Sequence, residues 1–268
     1  MQLRQKKQGH MARMSFVLWL FLFGCTTIKH QNNIIFKPAV LSKDYTFQLP
    51  ESVKEVFIEL PEGLRLNALV YQKPGQKNLL IYFQGNAKNL QNWLDNHRSA
   101  MDWETNVLVA DYRGFGKSGG EMRGQKTMYK DAESIYDYAI SLGYAPENII
   151  LYGYSMGTAP ALHLAAIRPA KKLILESPYS SIKEIAWVGK KAPSYPFNNK
   201  EKARWVTVPA LILHGTRDTV LTPDHAQRVF ENLGAEKKEL QLINGGGHGN
   251  LKAMPEVNSA IKKFIHSG

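Results

Sequence analysis

The sequence predicts an α/β fold, a mostly parallel sheet of eight strands with helices on both faces. Two observations carry that expectation. Eight short β-rich runs recur along the chain, most of them continuously apolar, as strands buried on both faces must be. Between the later runs lie segments with apolar positions three or four apart, the helical period, joined by short turns. The 268 residues suffice for a full core, and 44% apolar with 21% charged residues is a globular composition, not a collagen-like, coiled-coil or disordered one.

The chain opens with Arg4, Lys6, Lys7 and Arg13 and no acid, followed by the apolar run Ser15 to Gly24. That pattern predicts a signal peptide over 1–24. As a helix the run would reach about 15 Å, half the hydrocarbon thickness of a bilayer, which argues against a spanning helix. Leu22-Phe23-Gly24-Cys25 resembles the lipobox of a bacterial lipoprotein, with Cys25, the only cysteine, as the lipidated residue. The resemblance implies an exported protein anchored in a bacterial membrane and facing the periplasm; Thr26 after the cysteine favours the outer membrane. An uncleaved short anchor, or a start at Met11 or Met14, are the alternatives.

The chain carries 34 Lys and Arg against 23 Asp and Glu, a net charge of +11. Four of those basic residues and none of the acids lie in 1–24, so the remainder carries +7. Its Lys and Arg are scattered, and no stretch interleaves aromatics with a dense basic run, so no nucleic-acid partner is expected. Attraction to anionic headgroups fits better.

Residues 25–50 read as a lipidated N-terminus and polar tether, and the domain is expected over 51–268. Its strands are predicted at 56–58, 66–71, 79–83, 107–110, 149–152, 173–175, 211–213 and 240–243; the first two alternate like edge strands. Helical periods cover 88–101, 125–142, 156–168, 224–233 and 255–266, with Gly143 and Gly234 where helices should stop.

The sharpest motif is Gly153-Tyr154-Ser155-Met156-Gly157, between a strand and a helical period. A serine on so tight a turn needs small neighbours, and the turn aims its Oγ out of the sheet while the following helix presents N–H groups to developing negative charge. A hydroxyl nucleophile needs a base, and the base an orienting acid. Asp218 follows the run 211–213 and His248 follows 240–243, spacings of 63 and 30 residues that each leave room for one crossover unit and bring all three to one sheet edge. His214 precedes the acid; Asp224 and Glu176 are fallback acids. The N–H of Met156 is one expected oxyanion donor, and that of Asn86, in Gln84-Gly85-Asn86, the other, with Gln84 orienting the loop.

Together with Asp111 to Ser118, these residues resemble the α/β-hydrolases, particularly small-lid serine hydrolases of the serine aminopeptidase-like and prolyl-oligopeptidase-like kind, over about 52–268. In that family a His usually stands where this chain has Gln84. The resemblance implies hydrolysis of a carboxylic ester or thioester through an acyl-enzyme, on a small-molecule or acylated substrate, with no metal or organic cofactor. An amidase or peptidase of the same fold, or a non-catalytic binding module, are the alternatives. Gly114 to Gly119 also fits Gly-x-Gly-x-x-Gly, but it follows the fourth strand and no helix starts there, so it reads as a turn walling the site with Asp111 and Arg113 available to pair. The lid is expected at about 177–208, apolar and aromatic through Tyr179, Ile182, Ile185, Trp187, Tyr195 and Phe197.

Overall fold

The computed structural model describes residues 32, 34–186, 188 and 195–267. The predicted signal peptide, Cys25, and the lid residues Trp187, Lys190 and Lys191 therefore lie outside the described residues. Among the described residues no helix is long and apolar enough to cross a membrane.

The eight expected strands form one sheet. In chain order they are β2 (Val53–Glu59), β3 (Arg65–Tyr71), β4 (Leu79–Phe83), β6 (Asn106–Ala110), β7 (Ile149–Tyr154), β8 (Lys172–Glu176), β9 (Ala210–Gly215) and β10 (Lys238–Ile243). Two further strands, β1 (Lys37–Pro38) and β5 (Ala87–Lys88), pair with each other. Across the sheet the order is β10-β9-β8-β7-β4-β6-β3-β2, antiparallel only where β3 meets β2 and β6. β4, β6 and β8 are buried along their whole lengths, as the apolar runs at their centres require, and β10 closes the far edge half exposed.

Six helices among the described residues cover the sheet: α1 (Leu90–Asn96), α2 (Gln125–Ser141), α3 (Thr158–Ile167), α4 (Asn199–Ala203), α5 (Pro223–Asn232) and α6 (Pro255–His266). The apolar stripes of α2, α3 and α5 pack on one face, through residues such as Met128, Ile135, Leu162 and Val229. Those of α1 and α6 pack on the other, through Leu90, Trp93, Val257 and Ile261. The parallel strands β7, β9 and β10 thus deliver their following loops to a common rim.

Four expectations need correction. β3 is not an edge strand: it lies between β2 and β6 and is buried from Leu66 to Val70. The helix foreseen over 88–101 ends at Asn96 and continues as a tighter turn over Arg98–Trp103, and that foreseen from 156 begins at Thr158. The tether reading fails over 35–47. Ile35, Phe36 and Phe47 are buried, Leu41 N–H donates to Gly116 O, and Gly116 N–H to Ala39 O. Three scattered apolar side chains and a backbone ladder dock this segment on the domain although it shows no periodicity.

Candidate active site

Ser155 stands between β7 and α3 with φ of 51°, in the left-handed region that costs a non-glycine residue about 1–3 kcal/mol. The crowding around it explains the flanking glycines. A Cβ on Gly157 would lie 2.0 Å from Phe83 O, and one on Gly153 2.5 Å from Gly157 O, all backbone that cannot step aside. Thr158 Oγ1 donates to Ser155 O at 2.6 Å and braces the turn from the helix side.

Ser155 Oγ lies 3.0 Å from His248 Nε2, and His248 Nδ1 lies 2.7 Å from Asp218 Oδ2. The other carboxylate oxygen accepts the N–H groups of Val220 and Leu221 at 2.9 and 2.8 Å. Burial works against the Asp218 charge, but hydrogen bonds from His214 and His248 and the Leu221 N–H outweigh it and hold the carboxyl well below the usual range. An ionised carboxylate only accepts, so Nδ1 of His248 carries the proton and Nε2 turns its lone pair to Ser155. The three residues foreseen from the sequence therefore meet in the geometry of an activated nucleophile. His248 itself is steadied from behind, its carbonyl accepting from Tyr154 OH at 3.1 Å.

His214, at the end of β9, is a second imidazole on the same carboxylate, with Nε2 3.3 Å from Asp218 Oδ2 and 2.8 Å from Leu221 O. Its place four residues before the acid was the signal available in the sequence. The fallback acids are engaged elsewhere: Asp224 with Arg228 and Thr222, Glu176 with Lys252 at 3.0 Å and with Tyr152 OH. Lys252 Nζ also sits 3.8 Å from the centre of the Tyr154 ring, so a buried ion pair lies directly behind the turn that carries Ser155.

Gln84 does orient the loop after β4. Its Nε2 donates to Asp111 Oδ1 at 2.8 Å and to Ala110 O at 3.2 Å, and its own carbonyl accepts from Tyr112 OH at 2.6 Å. Burial raises the Asp111 carboxyl to about 7, against the bonds it receives from Leu90 N–H and Gln84. The expected pairing of Asp111 with Arg113 is not made. The Asp111 carboxylate is taken by Gln84 and by Leu90 N–H, and Arg113 instead grips Asp131 of α2 at 2.6 Å and Glu62 at 3.0 Å.

A cavity of ≈ 120 Å³ opens beside the serine. Ser155, Met156, Asn86 and His248 line its polar end; Ile35, Tyr179, Ile182, Ile185, Val188, Val220 and Leu221 line the rest. Met156 and Asn86, the two residues expected to supply oxyanion donors, thus flank the serine at one end. Ile35 was not foreseen, because it belongs to the segment read as a tether.

Fold and site together define a hydrolase of the α/β-hydrolase class. The chain belongs to the family described as serine aminopeptidase, S33, whose model matches residues 76–207 and 197–252. It is 31% identical over 227 residues to human alpha/beta hydrolase domain-containing protein 17B, covering 82% of this chain and 78% of that one. It is 30% identical over 197 residues to the protein of the same name from Xenopus tropicalis, covering 72% and 67%. Among solved structures, an esterase from Pyrococcus furiosus superposes with a TM-score of 0.71 at 20% identity, covering 86% of this chain and 97% of the other. A monoacylglycerol lipase from Paleococcus ferrophilus does so with 0.60 at 18%, covering 75% and 98%. At those identities the two structures show the shared fold.

Proposed function

We propose that this chain is a serine hydrolase that cleaves a carboxylic ester or thioester. The observation that carries the reading is the Ser155 Oγ to His248 Nε2 distance of 3.0 Å, with His248 Nδ1 on Asp218 at 2.7 Å. Ser155 Oγ attacks the substrate carbonyl carbon as its proton passes to His248 Nε2, and the carbonyl oxygen becomes an oxyanion facing the N–H groups of Met156 and Asn86. The intermediate collapses, the bond to the leaving alkoxide or thiolate breaks, and that group takes the proton from His248. Water then gives a proton to the same nitrogen and attacks the acyl carbon, and Ser155 leaves with the proton. The product is the free acid.

An aminopeptidase must hold a free ammonium group, which in a closed site requires a carboxylate or comparable acceptors. Among the described residues the cavity lining contains no acid, and residues 187 and 189–194 of the lid contain none in sequence. This favours an uncharged acyl group over an aminoacyl one. The test is labelling with a fluorophosphonate probe together with hydrolysis of p-nitrophenyl butyrate. Ser155→Ala abolishes both; a variant that still labels refutes the assignment.

We further assign the anchor to Cys25, on the strength of the lipobox-like Leu22 to Cys25, which makes this an exported, membrane-held enzyme. Mass spectrometry of the mature N-terminus reads it directly, and an unmodified Cys25 or a retained Met1 refutes it.

A further inference from the structure

We infer that the enzyme accepts short acyl groups, of about four to six carbons, and that Ile35, held between the loop after β4 and the lid, is the wall that sets this limit. The inference rests on the hydrolase reading and deepens it by naming the substrate class.

The cavity that opens beside Ser155 is small. An apolar cavity of about 150 Å³ holds one benzene molecule, six carbons, and this one is ≈ 120 Å³. Beyond its polar end the described lining is aliphatic apart from the Tyr179 ring, so no described residue there pairs with a charged acyl substituent. The alkyl part of a short fatty acyl group matches both the volume and the chemistry.

Ile35 closes this cavity from outside the hydrolase domain foreseen in the sequence, and it is clamped from two sides. Toward the loop after β4, its carbonyl accepts from Asn86 Nδ2 at 2.6 Å, and the next residues run as β1 alongside β5. Lys37 N–H donates to Asn86 O at 2.8 Å, and Asn89 Nδ2 to Ala39 O at 3.0 Å. Toward the lid, the Phe36 ring meets Phe197 edge-on at 6.4 Å between centres. Asn32 donates to Met122 O at 2.7 Å and accepts from Tyr195 OH. A side chain so fixed, 1% exposed, cannot swing aside for a longer chain without breaking the ladder that also holds Asn86. The same residue thus borders the acyl cavity and steadies the loop expected to bind the oxyanion.

The experiment compares kcat/KM for p-nitrophenyl butyrate and decanoate on the full chain, with fluorophosphonate labelling run in parallel. The wild type prefers butyrate by at least about tenfold. Ile35→Ala removes three carbons from the wall and makes room for about as many in the substrate, so the preference falls by about tenfold or reverses while labelling persists. Should the alanine variant fold poorly, Ile35→Val removes one methyl and moves the ratio the same way by about twofold to threefold, and Ile35→Phe shifts the optimum from butyrate to acetate. Phe47→Leu, on the same segment but outside both the cavity and the clamp on Ile35, leaves the ratio unchanged. A wild type that labels yet cleaves decanoate as fast as butyrate overturns the inference and leaves the hydrolase reading standing. So does a set of Ile35 variants with the wild-type ratio. A wild type that neither labels nor cleaves overturns both.

Discussion

Replacing Asp218 by Asn tests the proposed mechanism more sharply than removing the nucleophile, because the shape of the site is kept and only the hydrogen bonds at one oxygen, Oδ2, change. The carboxylate oxygen Oδ1 accepts two backbone N–H groups, from Val220 and Leu221, at 2.9 and 2.8 Å. An amide at this position keeps its oxygen there, since turning the NH2 toward two donors would forfeit both bonds, each worth about 0.5–1.5 kcal/mol, and leave their N–H groups unpaired. The NH2 therefore takes the place of Oδ2 and faces His248 Nδ1, 2.7 Å from that site. Two donors cannot face each other, so the imidazole shifts its proton to Nε2, and the lone pair that should receive the Ser155 proton is gone. In an Asp–His–Ser site of this geometry, the wrong tautomer lowers kcat about 10⁴-fold, or about 5 kcal/mol of barrier. The assay is kcat for p-nitrophenyl butyrate, with the melting temperature followed alongside. A folded Asp218→Asn enzyme within about tenfold of the wild type would refute the tautomer argument and with it the role given to Asp218.

Two further outcomes follow from buried charges. Asp111 has its carboxyl raised from 3.8 to about 7 by burial, so between those values the folded protein holds a proton that the unfolded chain has released. Stability from this group is greatest below about pH 4 and falls as pH rises to about 7, by about 4 kcal/mol as an upper figure. Urea unfolding of wild type against Asp111→Asn reads it, since the stability of the wild type minus that of the variant should fall with pH over that window, and a rise or no change contradicts it. Lys252→Met leaves Glu176, 0% exposed, without its cation and costs about 3–5 kcal/mol, whereas the double variant with Glu176→Gln restores most of that loss. Additive losses in the urea midpoints would show that the pair does not act as a unit.

The main sheet could be read from the sequence because most of its buried strands carry an apolar run at their centre, and a run such as Leu79 to Phe83, bounded by turn residues, is what a strand buried on both faces requires. The turn at Ser155 was legible for a different reason. A local backbone strain forces glycine at 153 and 157, and that demand leaves its mark within five residues. Nothing comparable marks the segment around Ile35. It is held by a two-residue ladder, one edge-on ring contact and side-chain amides reaching partners 51 to 163 residues away. Such contacts impose no period on the sequence, so the segment reads as polar chain.

The choice of acid shows where spacing stops being informative. Glu176 ends β8 and Asp218 follows β9, so both arrive at the same rim, and position alone does not rank them. What ranks them is which oxygen is left over. Lys252 takes one oxygen of Glu176 and Tyr152 OH the other, and the pair is buried behind Tyr154. At Asp218 the backbone occupies only Oδ1 and turns Oδ2 outward to His248, while His214 adds a second donor at 3.3 Å that helps keep the carboxylate ionised. An orienting acid must stay charged and keep one lone pair free in the right direction. Which carboxylate does so depends on donors from other strands and loops, Lys252 in one case and Val220 and Leu221 in the other, whose competition becomes visible only once the chain has folded.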